Sequence, residues 1–124
     1  MGRIAAIDYG TKRVGVAVSD ETKTIAIPKP YFLNDEKTKL IEFIIENEVE
    51  EILLGLPLAM SGGETESTGK AREFGQWLKE QTGLPIKLID ERLTTKEVQR
   101  SETNRELIDS LVAQKMLERY LERK

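Results

Sequence analysis

The chain has 124 residues, enough for one domain (1–124) built on a single sheet with several helices and too few for two. It contains no cysteine and no histidine, which excludes disulfides, thiolate nucleophiles, Ser-His-Asp triads and imidazole or thiolate zinc sites. A net charge of −3 excludes a basic coat for nucleic acid, and hydrolytic chemistry is left to carboxylates, lysine, tyrosine, hydroxyls or an oxygen-ligated hard cation such as magnesium or manganese.

In chain order, the first apolar run is Ile4 to Ile7, closed by Asp8. A carboxylate ending so apolar a strand needs a cation or hydrogen-bond donors to hold it, so Asp8 is the first candidate functional residue. Tyr9 to Arg13 contains Gly10 and suits the turn of an antiparallel hairpin leading into Val14 to Val18. In that second run Val14, Val16 and Val18 point one way and Gly15, Ala17 and Ser19 the other. One face is bulky, and the other is smooth enough for a helix to pack closely. The third run, Ile25 to Phe32, carries Pro28 and Pro30, which cannot donate to a ladder and so predict an edge strand.

Asn34 is placed to cap a helix with Leu40, Ile41, Ile44 and Ile45 on one face. Glu51 to Gly55 is a short continuous apolar run of the kind found in a central parallel strand. Leu56 to Glu66 reads as a loop that leaves the strand end near Asp8, is made mobile by Gly62-Gly63, and either covers a substrate or merely connects. Ala71, Phe74, Gly75 and Leu78 then mark one face of a helix stopped by Gly83. Trp77, beside Lys79 and Glu80, reads as a packing residue rather than a base-stacking platform. Ile86 to Asp90 is the last strand, and Thr94 with Glu97 and Thr103 with Glu106 match capping boxes for two closing helices. This order predicts a three-layer α/β domain with a five-stranded mixed sheet flanked by helices. No charged leader precedes an apolar stretch, and no apolar run nears the ~20 residues that span a bilayer, so the expectation is a soluble, cytoplasmic protein.

On a helical wheel with Leu107 at zero, Val112, Ala113, Met116, Leu117 and Tyr120 fill an arc of roughly 140° to 280°, and Asp109 falls inside it at about 200°. Facing the core, Asp109 needs a partner: the positive end of its own helix, an arginine or a shared site. Glu91 follows the last strand. If that strand runs parallel to the first, Glu91 and Asp8 emerge at one sheet edge, where α/β folds place sites; a solvated turn paired with Arg92 is the alternative. Three such acids could bind one or two hard cations, and a pair of ions about 3.5 to 4 Å apart activates water and stabilises the leaving oxygen of a phosphodiester. Bound cations would also cancel the repulsion between an acidic protein and a polyanion. Thr11, Lys12, Arg13 and Arg92 are the candidate contacts to flanking phosphates, with ordinary surface charge as the alternative.

Four motifs in order closely resemble the YqgF/RuvX family of bacterial proteins: Ile7 to Ala17, Gly55-Leu56-Pro57-Leu58, Asp90-Glu91-Arg92-Leu93-Thr94-Thr95, and Ile108-Asp109-Ser110-Leu111. The resemblance runs nearly end to end. It implies a ribonuclease H-like fold related to Holliday junction resolvases, with Asp8, Glu91 and Asp109 as the catalytic, metal-binding set for Mg2+ or Mn2+. It further implies a nuclease that processes the 5′ end of pre-16S ribosomal RNA, with junction resolution on branched DNA as the older assignment. The chain departs from the pattern at residues 98–107, where family members carry a longer basic segment; Arg100 and Arg105 are the cations present there.

Two other readings compete. Asp8-Tyr9-Gly10-Thr11 also resembles the first phosphate motif of actin and sugar-kinase ATPases, which need a second domain that 124 residues do not provide. A non-catalytic RNA-binding module would keep the acids as a structural set. Monomer and homodimer are both compatible with the sequence, although junction resolution needs two active sites and hence a dimer.

Overall fold

The computed structural model describes residues 2–90 and 108–122, with side chains from residue 110 in the second stretch. Five strands form one sheet: β1 (Arg3–Tyr9), β2 (Arg13–Ser19), β3 (Ala26–Leu33), β4 (Val49–Leu56) and β5 (Ile86–Asp90). Three described helices accompany it, α1 (Lys37–Glu46), α2 (Glu66–Thr82) and α3 (Ile108–Glu122). The strand order is β3-β2-β1-β4-β5. Short turns make β1, β2 and β3 antiparallel neighbours. The crossovers through α1 and α2 make β4 parallel to β1 and β5 parallel to β4. The mixed five-stranded sheet is the predicted one, with the proline-bearing β3 at its edge.

Side-chain alternation divides the core into two layers. On one face Leu40 and Ile44 of α1 and Phe74 and Leu78 of α2 pack on Ile7, Val14, Val16, Val18, Ile52 and Leu54. On the other, Ala113, Met116 and Leu117 of α3 pack on Ile4, Ala6, Ala17 and Leu53. The smooth face of β2 therefore receives α3, as its small residues predict. Ile52, Leu53 and Leu54 are fully buried in succession because β4 is covered on both faces; each such side chain stabilises the fold by about 1.5–3 kcal/mol. Helix α2 lies so close to β4 that a Cβ on Gly75 would sit 2.8 Å from Leu54 Cδ2. It ends, as expected, at Gly83 in the left-handed conformation.

One cap differs from expectation, and another had no sequence expectation. Asn34 does not cap α1: Glu36 occupies that position without a side-chain cap bond. The Asn34 amide instead donates to the Gly10 carbonyl at 2.9 Å, and its backbone N–H donates to Lys12 O at 2.9 Å. Leu33 is the register partner of Arg13, so the chain leaves β3 beside the β1–β2 turn and Asn34 meets its free carbonyls first. At α2, Thr65 and Thr68 form a reciprocal capping box that a search for glutamate or glutamine at the fourth position passes over. The capping boxes at Thr94 and Thr103 lie outside the described residues.

The β2–β3 turn is closed by Asp20. Its carboxylate accepts from the Thr22 and Thr24 hydroxyls and from the Ile25 and Thr24 backbone N–H groups. These bonds, led by that from Thr22, hold its pKa far below the ordinary 3.8. A carboxyl depressed in the folded state stabilises fully above the unfolded pKa and loses that contribution as pH falls below it. Urea midpoints measured from pH 6 down to pH 2 are therefore expected to decline less steeply below about pH 4 in Asp20→Asn than in the wild type. Parallel declines would remove Asp20 from the acid response.

Candidate active site

Asp8 lies at the C-terminal end of β1, 8% exposed. It follows Ile4 and Ala6 in alternation, so it belongs to the sheet face covered by α3. Its register partner on β2 is Gly15 and its partner on β4 is Gly55. Neither ladder neighbour places a side chain beside the carboxylate. Immediately beyond, the chain reverses through Gly10, where a Cβ would lie 2.4 Å from the Arg13 carbonyl oxygen. Only glycine fits that turn without moving backbone.

Helix α3 is seated next to this position by Ser110, which is 2% exposed. Its hydroxyl donates to the Lys29 carbonyl at 2.6 Å and accepts from the Val16 N–H at 3.4 Å. The β2–β3 register shifts between Val14 and Val16, so Ser110 binds at the irregularity that contains Gly15, the partner of Asp8. Sequence reading passed over Ser110; its only signal was a small hydroxyl inside the Ile108–Leu111 motif. Asp109 precedes it, with its backbone in the first turn of α3 and its side chain outside the described residues.

Strand β5 pairs Ile89 with Gly55 and Asp90 with Leu56, so it ends at the sheet edge where Asp8 stands. Ile89 packs with the α3-side cluster. Glu91 and Arg92 lie outside the described residues. Among the described residues no three histidine, cysteine, aspartate or glutamate side chains are grouped to hold a metal ion; of the three candidate acids only Asp8 has its side chain among them.

Thr11, Lys12 and Arg13 are exposed around the β1–β2 turn. The Arg13 guanidinium lies 5.3 Å from the centre of the Tyr31 ring, which orients a cation at the strand end. The loop after β4 folds back on itself through Ala59 N–H to Gly63 O and Gly62 N–H to Ala59 O, at 2.9 and 2.8 Å. Its two ends are tied to α2. The Thr68 hydroxyl donates to Pro57 O, and the Arg72 guanidinium donates two bonds to Glu64, at 2.9 and 2.8 Å. That guanidinium holds the Glu64 carboxyl below the usual glutamate range.

Residues 2–123 match the family model described as "RuvX: Holliday junction resolvase". The chain belongs to the RuvX family. A relative from Koribacter versatilis is 39% identical over 99% of this chain and 88% of its own length. Another from Sulfurihydrogenibium sp. is 38% identical, covering 99% of this chain and 92% of the relative. Both bear the name "Putative pre-16S rRNA nuclease". Among solved structures, Thermus thermophilus RuvC in complex with a Holliday junction superposes with a TM-score of 0.61 at 12% identity, covering 98% of this chain and 94% of that one. Fowlpox virus resolvase with Holliday junction DNA gives 0.57 at 13% identity, covering 98% and 97%. At such identities these two establish the fold of the RuvX chain, which is the ribonuclease H-like fold that its motifs implied.

Proposed function

We propose that this RuvX chain is a divalent-metal-dependent nuclease that hydrolyses phosphodiester bonds in the 5′-end processing of pre-16S ribosomal RNA in the cytoplasm. The observation that carries the reading is Asp8: a nearly buried carboxylate at the end of the central strand, flanked on both ladder neighbours by glycine. A hard oxygen donor whose ladder partners carry no side chains suits magnesium or manganese. Glu91 and Asp109 are proposed to complete the ligand set, held to the same edge by the β5 strand end and by the Ser110 anchor. Cations bound there would activate water and offset charge on the phosphate. The chain's own part is to hold three acids that would otherwise repel one another, and to grip the flanking phosphates with Thr11, Lys12, Arg13 and Arg92.

The ribosomal RNA substrate is favoured over a four-way junction because the relatives that share well over a third of their residues carry the RNA name, whereas the junction-bound neighbours share only the fold. A monomer suffices for RNA trimming, and a homodimer is needed to resolve a junction. Among the described residues no helix is long and apolar enough to cross a membrane.

The test incubates the protein with a precursor ribosomal RNA and with a four-way DNA junction, in magnesium, manganese or chelator, alongside a mass measurement in solution. Cleavage of the RNA that chelator stops is expected. Cleavage indifferent to chelator would overturn the mechanism, and cutting of the junction alone by a dimer would move the assignment to resolution.

A further inference from the structure

On the sheet face opposite Asp8, a cleft of about 450 Å³ opens where β1 ends between α1 and α2. Its volume falls within the range that holds small-molecule-sized ligands. Phe74 forms its floor, 4% exposed. The Phe74 ring touches Tyr9 at 4.6 Å between centres and is stacked with Trp77 at 5.7 Å. Tyr9 and Trp77 are each half-buried and so keep part of their surface open to the cleft. Lys37 and Lys70 stand at the rim with Glu73, and Lys70 also pairs with Glu66 at 3.6 Å, an exposed ion pair that a phosphate can displace. Lys37 is exposed, and its ammonium lies 5.7 Å from the centre of the Trp77 ring. Aromatic surface that packs on the core needs no cations beside it; an aromatic platform ringed by cations fits a ligand that is flat at one end and anionic at the other.

We infer that this cleft is a subsite for one unpaired nucleotide of the substrate strand, its base against Tyr9 and Trp77 and its phosphate against Lys37 and Lys70. The inference rests on the nuclease reading for the identity of the strand. Asp8 and Tyr9 are consecutive and point to opposite faces at the same strand end, so a nucleic-acid strand crossing the C-terminal end of β1 meets both. In the free protein the Lys37 ammonium covers the indole; on binding it moves to the phosphate and the base takes its place on the ring. Trp77 then has a second role besides packing.

Trp77 is the chain's single tryptophan, so its fluorescence reports on the cleft alone. In chelator, where nothing is cut, a single-stranded oligoribonucleotide is titrated against the whole protein while binding is followed independently by anisotropy. Quenching of Trp77 that tracks binding is expected, with no quenching by an abasic strand of equal length. Lys37→Gln with Lys70→Gln, both on exposed positions, should weaken binding about tenfold or more and reduce the salt slope by about 0.7, the share of one phosphate. Trp77→Phe, which keeps the packing, should retain part of the affinity and lose the signal. Binding without quenching, equal quenching by the abasic strand, equal affinity for a free nucleoside monophosphate, or no binding at all would each overturn the subsite. The two readings fail separately: quenching by a protein that cuts nothing in magnesium would leave the subsite standing and remove the nuclease.

Discussion

Asp8→Asn is expected to lower metal-dependent cleavage by at least about 100-fold, because even partners outside the direct ligand shell of a metal cost 10–100-fold when removed. Asparagine has the shape of aspartate and lacks its charge. Its ladder partners Gly15 and Gly55 carry no side chains, so the variant should fold, and its thermal midpoint in chelator reads whether removing one of three mutually repelling acids offsets the charge-dependent bonds lost. RNA affinity in chelator should hold or improve, since one negative charge is removed from a site that faces a polyanion. Single-turnover cleavage, a melting curve and an anisotropy titration on the same preparation read the three quantities. Cleavage within a few-fold of wild type would remove Asp8 from the catalytic centre, and a non-catalytic module would show no cleavage in either protein.

Much of the fold could be read from side-chain periodicity, because its layers follow rules local to each element. Alternation in Val14 to Ser19 announced a bulky and a smooth face, and α1 with α2 occupy the first while α3 occupies the second. The wheel of the last helix placed Val112, Ala113, Met116 and Leu117 inward, and all four are buried. Pro28 and Pro30 put β3 at the edge. What escaped were hydrogen bonds between segments distant in the chain. Asn34 is a good cap by type, yet its amide finds Gly10 O, a choice fixed only once Leu33 pairs with Arg13. Ser110 looks like a neutral surface residue until the β2–β3 irregularity offers it Lys29 O and Val16 N–H.

The same division holds at the candidate site. Asp8 was visible as a carboxylate closing an apolar run. That both of its ladder neighbours are glycines required the register, since Gly15 and Gly55 are 40 positions apart in the chain. Trp77 was read as packing because only its own helix was considered, whereas Tyr9 and Lys37 come to it from β1 and α1. Glu91 and Arg92 were read from motif and strand direction, and Asp109 from motif and wheel; their side chains lie outside the described residues.

Ala17→Leu is expected to damage both fold and activity, and to separate the two. Ala17 is fully buried, pairs with Ala6 on β1 and Pro28 on β3, and lies in the layer formed with Ala113, Met116 and Leu117 of α3. Three added carbon atoms cannot be accommodated in so close an interface without displacing the helix, at about 1–3 kcal/mol, or roughly 4–12 °C in melting temperature for a domain of this size. The sheet is held from its other face, so α3 is the element that moves, and with it the first turn where Ser110 anchors and Asp109 resides. Val18→Ala is the matched control. It opens a cavity on the α1–α2 side, where Val18 packs 1% exposed, at a comparable cost of about 2 kcal/mol, and leaves the seat of α3 untouched. At a temperature where both variants are folded, Val18→Ala should cleave nearly as well as wild type and Ala17→Leu should lose tenfold or more. Equal activities would mean that the catalytic acids do not depend on how α3 is seated over the smooth face of β2.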